Sequence, residues 1–154
     1  MIAVVGPGDS STDPVVLEAA ERVGALLATA GHQVGTGGLG GVMAAASRGA
    51  KSAGGSVVAI LPGDDVVAAN EHADVVIATG LGQARNVVLV RSADAVIAVG
   101  GSWGTLSEVA IARRLGRPVV WLHGWSVDGP TDPVPTVETP EAALSWLSAT
   151  FSAE

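Results

Sequence analysis

At 154 residues the chain fits one domain with room for a real core, and with 48% hydrophobic against 15% charged residues most elements should be buried on more than one side. It has no cysteine, which excludes disulfides, thiolate metal sites and cysteine nucleophiles. The net charge of −7 argues against a nucleic-acid surface, which needs clustered Lys and Arg, and the longest apolar runs fall well short of the roughly 18 residues that span a bilayer.

Met1–Gly6 lacks the basic region of a signal peptide and reads as a first strand over Ile2–Val5, so a cytoplasmic address is expected. The loop from Gly6 to Asp13 follows, and Asp13-Pro14 supplies a cap and first position for a helix to about Ala30, stopped by Gly31. Gln33–Thr36 is a short second strand. It runs into Gly37-Gly38-Leu39-Gly40-Gly41-Val42-Met43, a glycine-rich turn that opens a helix to about Ala53. Ser56–Leu61 is strand three, and the polar stretch from Asp64 to Ala73 reads as loop. Asp74–Ala78 is strand four, and Arg85-Asn86 leads a helix to about Ser92.

Asp94–Val99 is strand five. Gly100 to Glu108 forms a second glycine turn, with a helix read over Val109–Leu115 and Glu108 in its first turn. Pro118–Leu122 is strand six, Asp128 to Pro140 reads as irregular, and Thr139-Pro140-Glu141 starts a last helix through Leu147. Strands alternating with helices, the strands continuously apolar, predict an α/β fold: a single-domain, doubly wound parallel sheet of Rossmann type. Both glycine turns follow strand carboxyl ends, where such sheets bind ligands.

A strand, a glycine turn and a helix start together make an anion site, because the first helical amides have no internal partners. Neither the dinucleotide fingerprint nor a Walker lysine is present, so a mononucleotide-sized ligand fits better than NAD or a triphosphate. Packing of strand against helix, with no ligand, is the competing explanation for either turn alone. The candidate phosphate or nucleotide contacts are Gly37, Gly38, Gly40, Gly41 and Met43 in the first turn, and Gly101, Ser102, Trp103, Gly104 and Thr105 in the second. Trp103 can stack on a base or on a partner subunit. Gly6, Ser10, Ser11, Asn86 and His123 are second-rank candidates, although Ser and Thr after a strand are often helix caps. Asn70 and Thr79 are weaker again. His32 and His72 have no neighbours at ligand spacing, so no metal site is expected.

Three motifs in order, Gly37-Gly38-Leu39-Gly40-Gly41-Val42-Met43, Ala84-Arg85-Asn86 and Gly101-Ser102-Trp103-Gly104-Thr105-Leu106-Ser107-Glu108, resemble the LOG or "lysine decarboxylase-like" Rossmann superfamily (SLOG). The likeness is nearest to a small bacterial, DprA-related branch that also resembles molybdenum-cofactor carriers. LOG enzymes are phosphoribohydrolases that release the base of a nucleoside 5′-monophosphate. Their pattern P-G-G-x-G-T-x-x-E maps onto Gly100–Glu108 and their catalytic R-K pair onto Arg85-Asn86. Arg85, Gly101, Gly104, Thr105 and Glu108 match; Gly100 replaces Pro, Ser102 replaces Gly and Asn86 replaces Lys.

The resemblance implies catalytic roles for Glu108, toward ribose and water, and for Arg85, toward the departing base or Glu108 itself. The first reading is therefore a phosphoribohydrolase; the alternative is a non-catalytic carrier or sensor of a nucleotide or molybdopterin. No cofactor is required, and the ligand expected is a nucleoside monophosphate or molybdopterin. A homodimer or higher homo-oligomer is implied, with neither nucleic acid nor membrane as partner. Pyridoxal-phosphate decarboxylation is excluded chemically. It needs a Schiff-base lysine, and the only lysine, Lys51, ends a helix away from the turns.

Overall fold

The computed structural model describes residues 1–127 and 132–153. Seven parallel strands form one sheet: β1 (Ile2–Val5), β2 (Val34–Thr36), β3 (Val57–Leu61), β4 (Val75–Ala78), β5 (Ala95–Val99), β6 (Val119–Leu122) and β7 (Thr136–Val137). Their order across the sheet is β4-β3-β2-β1-β5-β6-β7. The five helices are α1 (Pro14–Thr29), α2 (Gly41–Ser52), α3 (Arg85–Ser92), α4 (Trp103–Arg114) and α5 (Pro140–Ser152). The fold is the α/β, doubly wound, Rossmann-like arrangement that the alternation of apolar runs predicts.

Each strand of the middle is buried on both faces, which is why β1, β3, β5 and β6 carry unbroken apolar residues. Helices α1, α2 and α5 pack on one face, over Ile2, Val4, Ile97 and Val120. Helices α3 and α4 pack on the other, over Ala3, Val5, Val96 and Ala98. The contact between α1 and α2 is backbone against backbone: a side chain at Gly24 or Gly49 would collide with the carbonyl of Ala46 or Glu21. Asp13 accepts a hydrogen bond from the Val15 amide at 2.9 Å, and Thr139 caps α5 through the Ala142 amide at 3.1 Å, as the Asp-Pro and Thr-Pro pairs predict.

The chain winds from β1 outward to β4, then returns so that β5 lies on the other side of β1. The segment leaving β1 runs to α1 on one face and the segment leaving β5 runs to α4 on the opposite face. Their divergence opens a crevice at the carboxyl ends of β1 and β5, the switch point of the topology.

Two sequence expectations are corrected. Helix α4 starts at Trp103, not Val109, so the glycine turn is itself the first helical turn, and Glu108 lies in the second turn rather than the first. Part of the stretch read as irregular, Asp128 to Pro140, is strand β7, paired parallel to β6 through Trp121–Thr136 and Leu122–Val137; residues 128–131 of that stretch lie outside the described residues. The loop read over Asp64–Ala73 holds one short 3-10 turn at Val66–Ala68, with no helix, so the Val75 and Ile77 side of β4 stays largely exposed. No helix among the described residues is long and apolar enough to cross a membrane.

Candidate functional site at the switch point

The turn between β5 and α4 presents free backbone. Ser102 caps the helix: its Oγ accepts from the Thr105 amide at 3.1 Å and lies 2.9 Å from Thr105 Oγ1. The amides of Gly101, Ser102, Trp103 and Gly104 donate to no acceptor among the described residues. A methyl at Gly104 would meet only Ser102 Oγ, at 3.7 Å, so this glycine faces open space. Trp121 anchors the turn from below, its indole Nε1 donating to Gly100 O at 2.6 Å. Trp125 stands against Gly101, where any side chain would collide with its ring. Two hydroxyls, a run of unpaired amides and the positive end of a helix dipole are what a phosphate needs.

The turn between β2 and α2 is built otherwise. Gly37 abuts the Arg85 guanidinium and the Met43 sulfur, Gly38 packs on Ala59 and Leu61, and Gly41, at φ +58°, is pressed against Pro7 O. The Val42 amide at the start of α2 is already spent on Pro7 O, at 2.9 Å. Asn70 ties the same turn down by donating to Leu39 O at 3.0 Å. Gly6 is wedged between Val99 O and Val42, and the Gly40 position has only Gly8 O nearby, 3.1 Å from where a methyl would stand.

Below these turns lie three polar side chains, each more than nine-tenths buried. Arg85 is 8%, Asn86 5% and Glu108 8% exposed. Arg85 Nη1 donates to Gly37 O at 2.6 Å and to Ile60 O at 2.8 Å, so one guanidinium nitrogen holds the glycine turn to β3. Arg85 Nε and Asn86 Oδ1 have no partner among the described residues. Asn86 Nδ2 donates to Ser107 Oγ at 3.3 Å, and that hydroxyl donates to Gly104 O at 2.7 Å, a relay from α3 to the first turn of α4. Burial pushes the Glu108 carboxyl up to about 7, against the opposing pull of the Arg85 charge; burial likewise lowers the Arg85 value from its usual range, with Glu108 acting to raise it. Near neutral pH the Glu108 carboxyl is therefore divided between acid and carboxylate.

The remaining candidates are scattered. Ser10 and Ser11 are exposed on the loop after β1, where Ser11 is turned onto Asp9 by a 2.6 Å hydrogen bond. Thr79 donates to Leu61 O at 2.6 Å. His123 is exposed just after β6 and is the one non-glycine residue with positive φ, +52°, among the described residues. No group of three His, Asp or Glu side chains among the described residues is placed to hold a metal ion. Trp125 carries no sequence signal, because it gains its place by folding back onto Gly101.

A profile of the SLOG cluster4 family matches residues 1–145. The chain belongs to that family. An uncharacterized protein from Archaeoglobus fulgidus is 47% identical over 145 residues, covering 94% of this chain and 92% of the relative. Among solved structures, the molybdenum cofactor binding protein of Rippkaea orientalis superposes with a TM-score of 0.90 at 37% identity, over 97% of this chain and 96% of that one. The molybdenum cofactor carrier protein of Chlamydomonas reinhardtii superposes at 0.87 and 35%, over 98% and 97%. The likeness to DprA of Streptococcus pneumoniae, 0.72 at 21% identity over 94% of this chain and 60% of that one, is one of fold alone.

Proposed function

We propose that this SLOG cluster4 protein binds a small phosphorylated ligand at the β5–α4 turn and carries it unchanged, and that the ligand is the phosphorylated pterin of the molybdenum cofactor. The observation that carries this reading is the contrast at Arg85: in a hydrolase of the LOG pattern its guanidinium would serve the reacting bond, whereas here Nη1 is committed to Gly37 O and Ile60 O. Asn86, where that pattern has a lysine, supplies a buried acceptor instead of a cation. The likeness to cofactor-binding proteins at 35–37% identity over nearly the whole chain supports the same ligand.

In this reading the amides of Gly101–Gly104 and the hydroxyls of Ser102 and Thr105 hold the phosphate, while Gly37, Gly38, Gly40, Gly41, Met43 and Gly6 shape the crevice. The metal arrives as part of the cargo. The protein acts in the cytoplasm as a homodimer, supported by the exposed Val75 and Ile77 on β4, and its net charge of −7 speaks against nucleic acid as a partner.

A nucleoside 5′-monophosphate phosphoribohydrolase is the second reading, favoured by Glu108, whose raised value suits general acid-base work. Incubation of the purified protein with molybdopterin and with a panel of nucleoside 5′-monophosphates, followed by chromatography, separates the two. Carriage predicts ligand recovered intact and no free base. Base release that disappears in Glu108→Gln would establish the hydrolase.

A further inference from the structure

Glu108 stands one helical turn below the unpaired amides at the start of α4. It follows Gly104 by four residues and Thr105 by three. At roughly 100° and 1.5 Å per residue it lies between the two round the helix, about 6 Å of rise below Gly104. Helical side chains lean toward the amino end, so the carboxyl is carried toward that first turn. It is 8% exposed, and no described residue donates a hydrogen bond to it. Arg85 on α3 is the charged neighbour that acts on it, yet the two form no ion pair. Helix α4 also packs on β5 and β6, whose strands carry no titratable side chain. Arg91 on α3, and Arg113 and Arg114 on α4, lie in the last turns of their helices, and His123 is exposed after β6. A carboxylate so placed has neither water nor a donor to hold its charge, and burial favours the neutral acid.

We propose that Glu108 makes ligand binding at the β5–α4 turn proton-linked: its carboxyl takes up a proton as the phosphate settles on the amides, and its ionisation as pH rises drives the ligand off. This rests on the phosphate reading above and adds how the site is emptied. A phosphate monoester carries about −1.5 to −2 charges near neutrality, so a carboxylate one turn away repels it. The neutral acid does not, and it has a hydrogen to donate. Arg85 cannot swing across to screen the pair, because its Nη1 ties the Gly37 turn to β3 and its Nε is shut in. The proton comes from solvent on binding and returns there on release; no bond of the ligand is made or broken. Affinity is then fullest at low pH. It falls as pH rises through the range where the empty site loses its proton, and levels once the loaded site has lost it too. A carrier must let go of what it holds, and a group that is neutral when loaded and charged when empty does so without chemistry on the cargo.

Anaerobic calorimetric titration of the full chain with molybdopterin, in two buffers of different ionisation heat, counts the protons taken up on binding. At about pH 8 a phosphate monoester is already a dianion, so the phosphate itself adds nothing to the count. The parent should take up about half a proton or more there, and Glu108→Gln none. Between about pH 6 and pH 9 the affinity of the parent should fall about tenfold more than that of the variant. Glu108→Ala, which also lacks the acid, should match Glu108→Gln in both readouts. A parent that takes up no proton, affinity curves that stay parallel in parent and variant, or proton uptake that survives in Glu108→Ala would overturn the linkage while leaving the phosphate site intact. Failure of the parent to bind molybdopterin anywhere in that pH range would overturn the phosphate-ligand reading, and the linkage with it.

Discussion

The two glycine turns read alike in sequence and are opposite in construction. In the β2–α2 turn the missing side chains are places where something else already stands: Arg85 and Met43 at Gly37, Ala59 and Leu61 at Gly38, Pro7 O at Gly41. In the β5–α4 turn Gly104 has nothing against it and its neighbours' amides are unpaired. In the first turn glycine mostly brings chain against chain; in the second Gly100 and Gly101 do the same, against Val16 and Trp125, and Gly104 leaves the backbone accessible. The lesson is that a glycine-rich motif is a statement about close approach, and only the surroundings say whether protein or ligand approaches.

Substitutions in the two turns should therefore separate folding from binding. The largest effect is expected for Gly41→Ala, which places a side chain on Pro7 O at a positive φ. A loss of about 3 kcal/mol or more, a fall of roughly 6–12 °C in the thermal midpoint, should appear in calorimetry. A midpoint equal to the parent's would mean that the first turn is not a packing device.

Arg85→Ala should come next, at about 2–3 kcal/mol, because it strips Gly37 O and Ile60 O of their donor and leaves a hole between β3 and α3. Denaturant unfolding would show it. Unchanged stability with a lost ligand would turn Arg85 from a brace into a contact residue.

Glu108 sharpens the comparison through pH. Its carboxyl rises from an ordinary 4.5 to about 7 on folding, so between those values the folded chain keeps a proton that the unfolded chain has released. The contribution of Glu108 to stability is then fullest below pH 4.5, falls as pH rises toward 7 and levels above it, by on the order of 3 kcal/mol. Glu108→Gln should remove the decline: its thermal midpoint at pH 8 should exceed the parent's, and the two should coincide at pH 4.5. Parallel curves would show that Glu108 is solvated.

Much of the fold was legible in the chain. The apolar runs marked the six longer strands, and Asp13-Pro14 and Thr139-Pro140 marked two helix starts to the residue. Both glycine turns and the Arg85–Glu108 neighbourhood were also visible as motifs. The start of α4 at Trp103 was not, because Gly101-Ser102-Trp103-Gly104 holds poor helix formers and the Ser102 cap and the packing of Val109 and Ala112 decide the matter. Strand β7 is too short to show a period. The occupation of Arg85 by two carbonyls and the seating of Trp125 on Gly101 join residues far apart in sequence, and no local pattern encodes them.

The smallest effect on stability and the most informative on binding belongs to Gly104→Ala. The helix position is open, so the fold should be unchanged or firmer by roughly 0.5–1 kcal/mol, while the methyl occupies the space that a phosphate needs. Calorimetric titration of molybdopterin into the parent and into Gly104→Ala tests the central claim most directly. The parent should saturate with ligand recovered intact, and the folded variant should bind about tenfold more weakly or worse. Equal affinity in the two proteins would contradict a phosphate site at the β5–α4 turn.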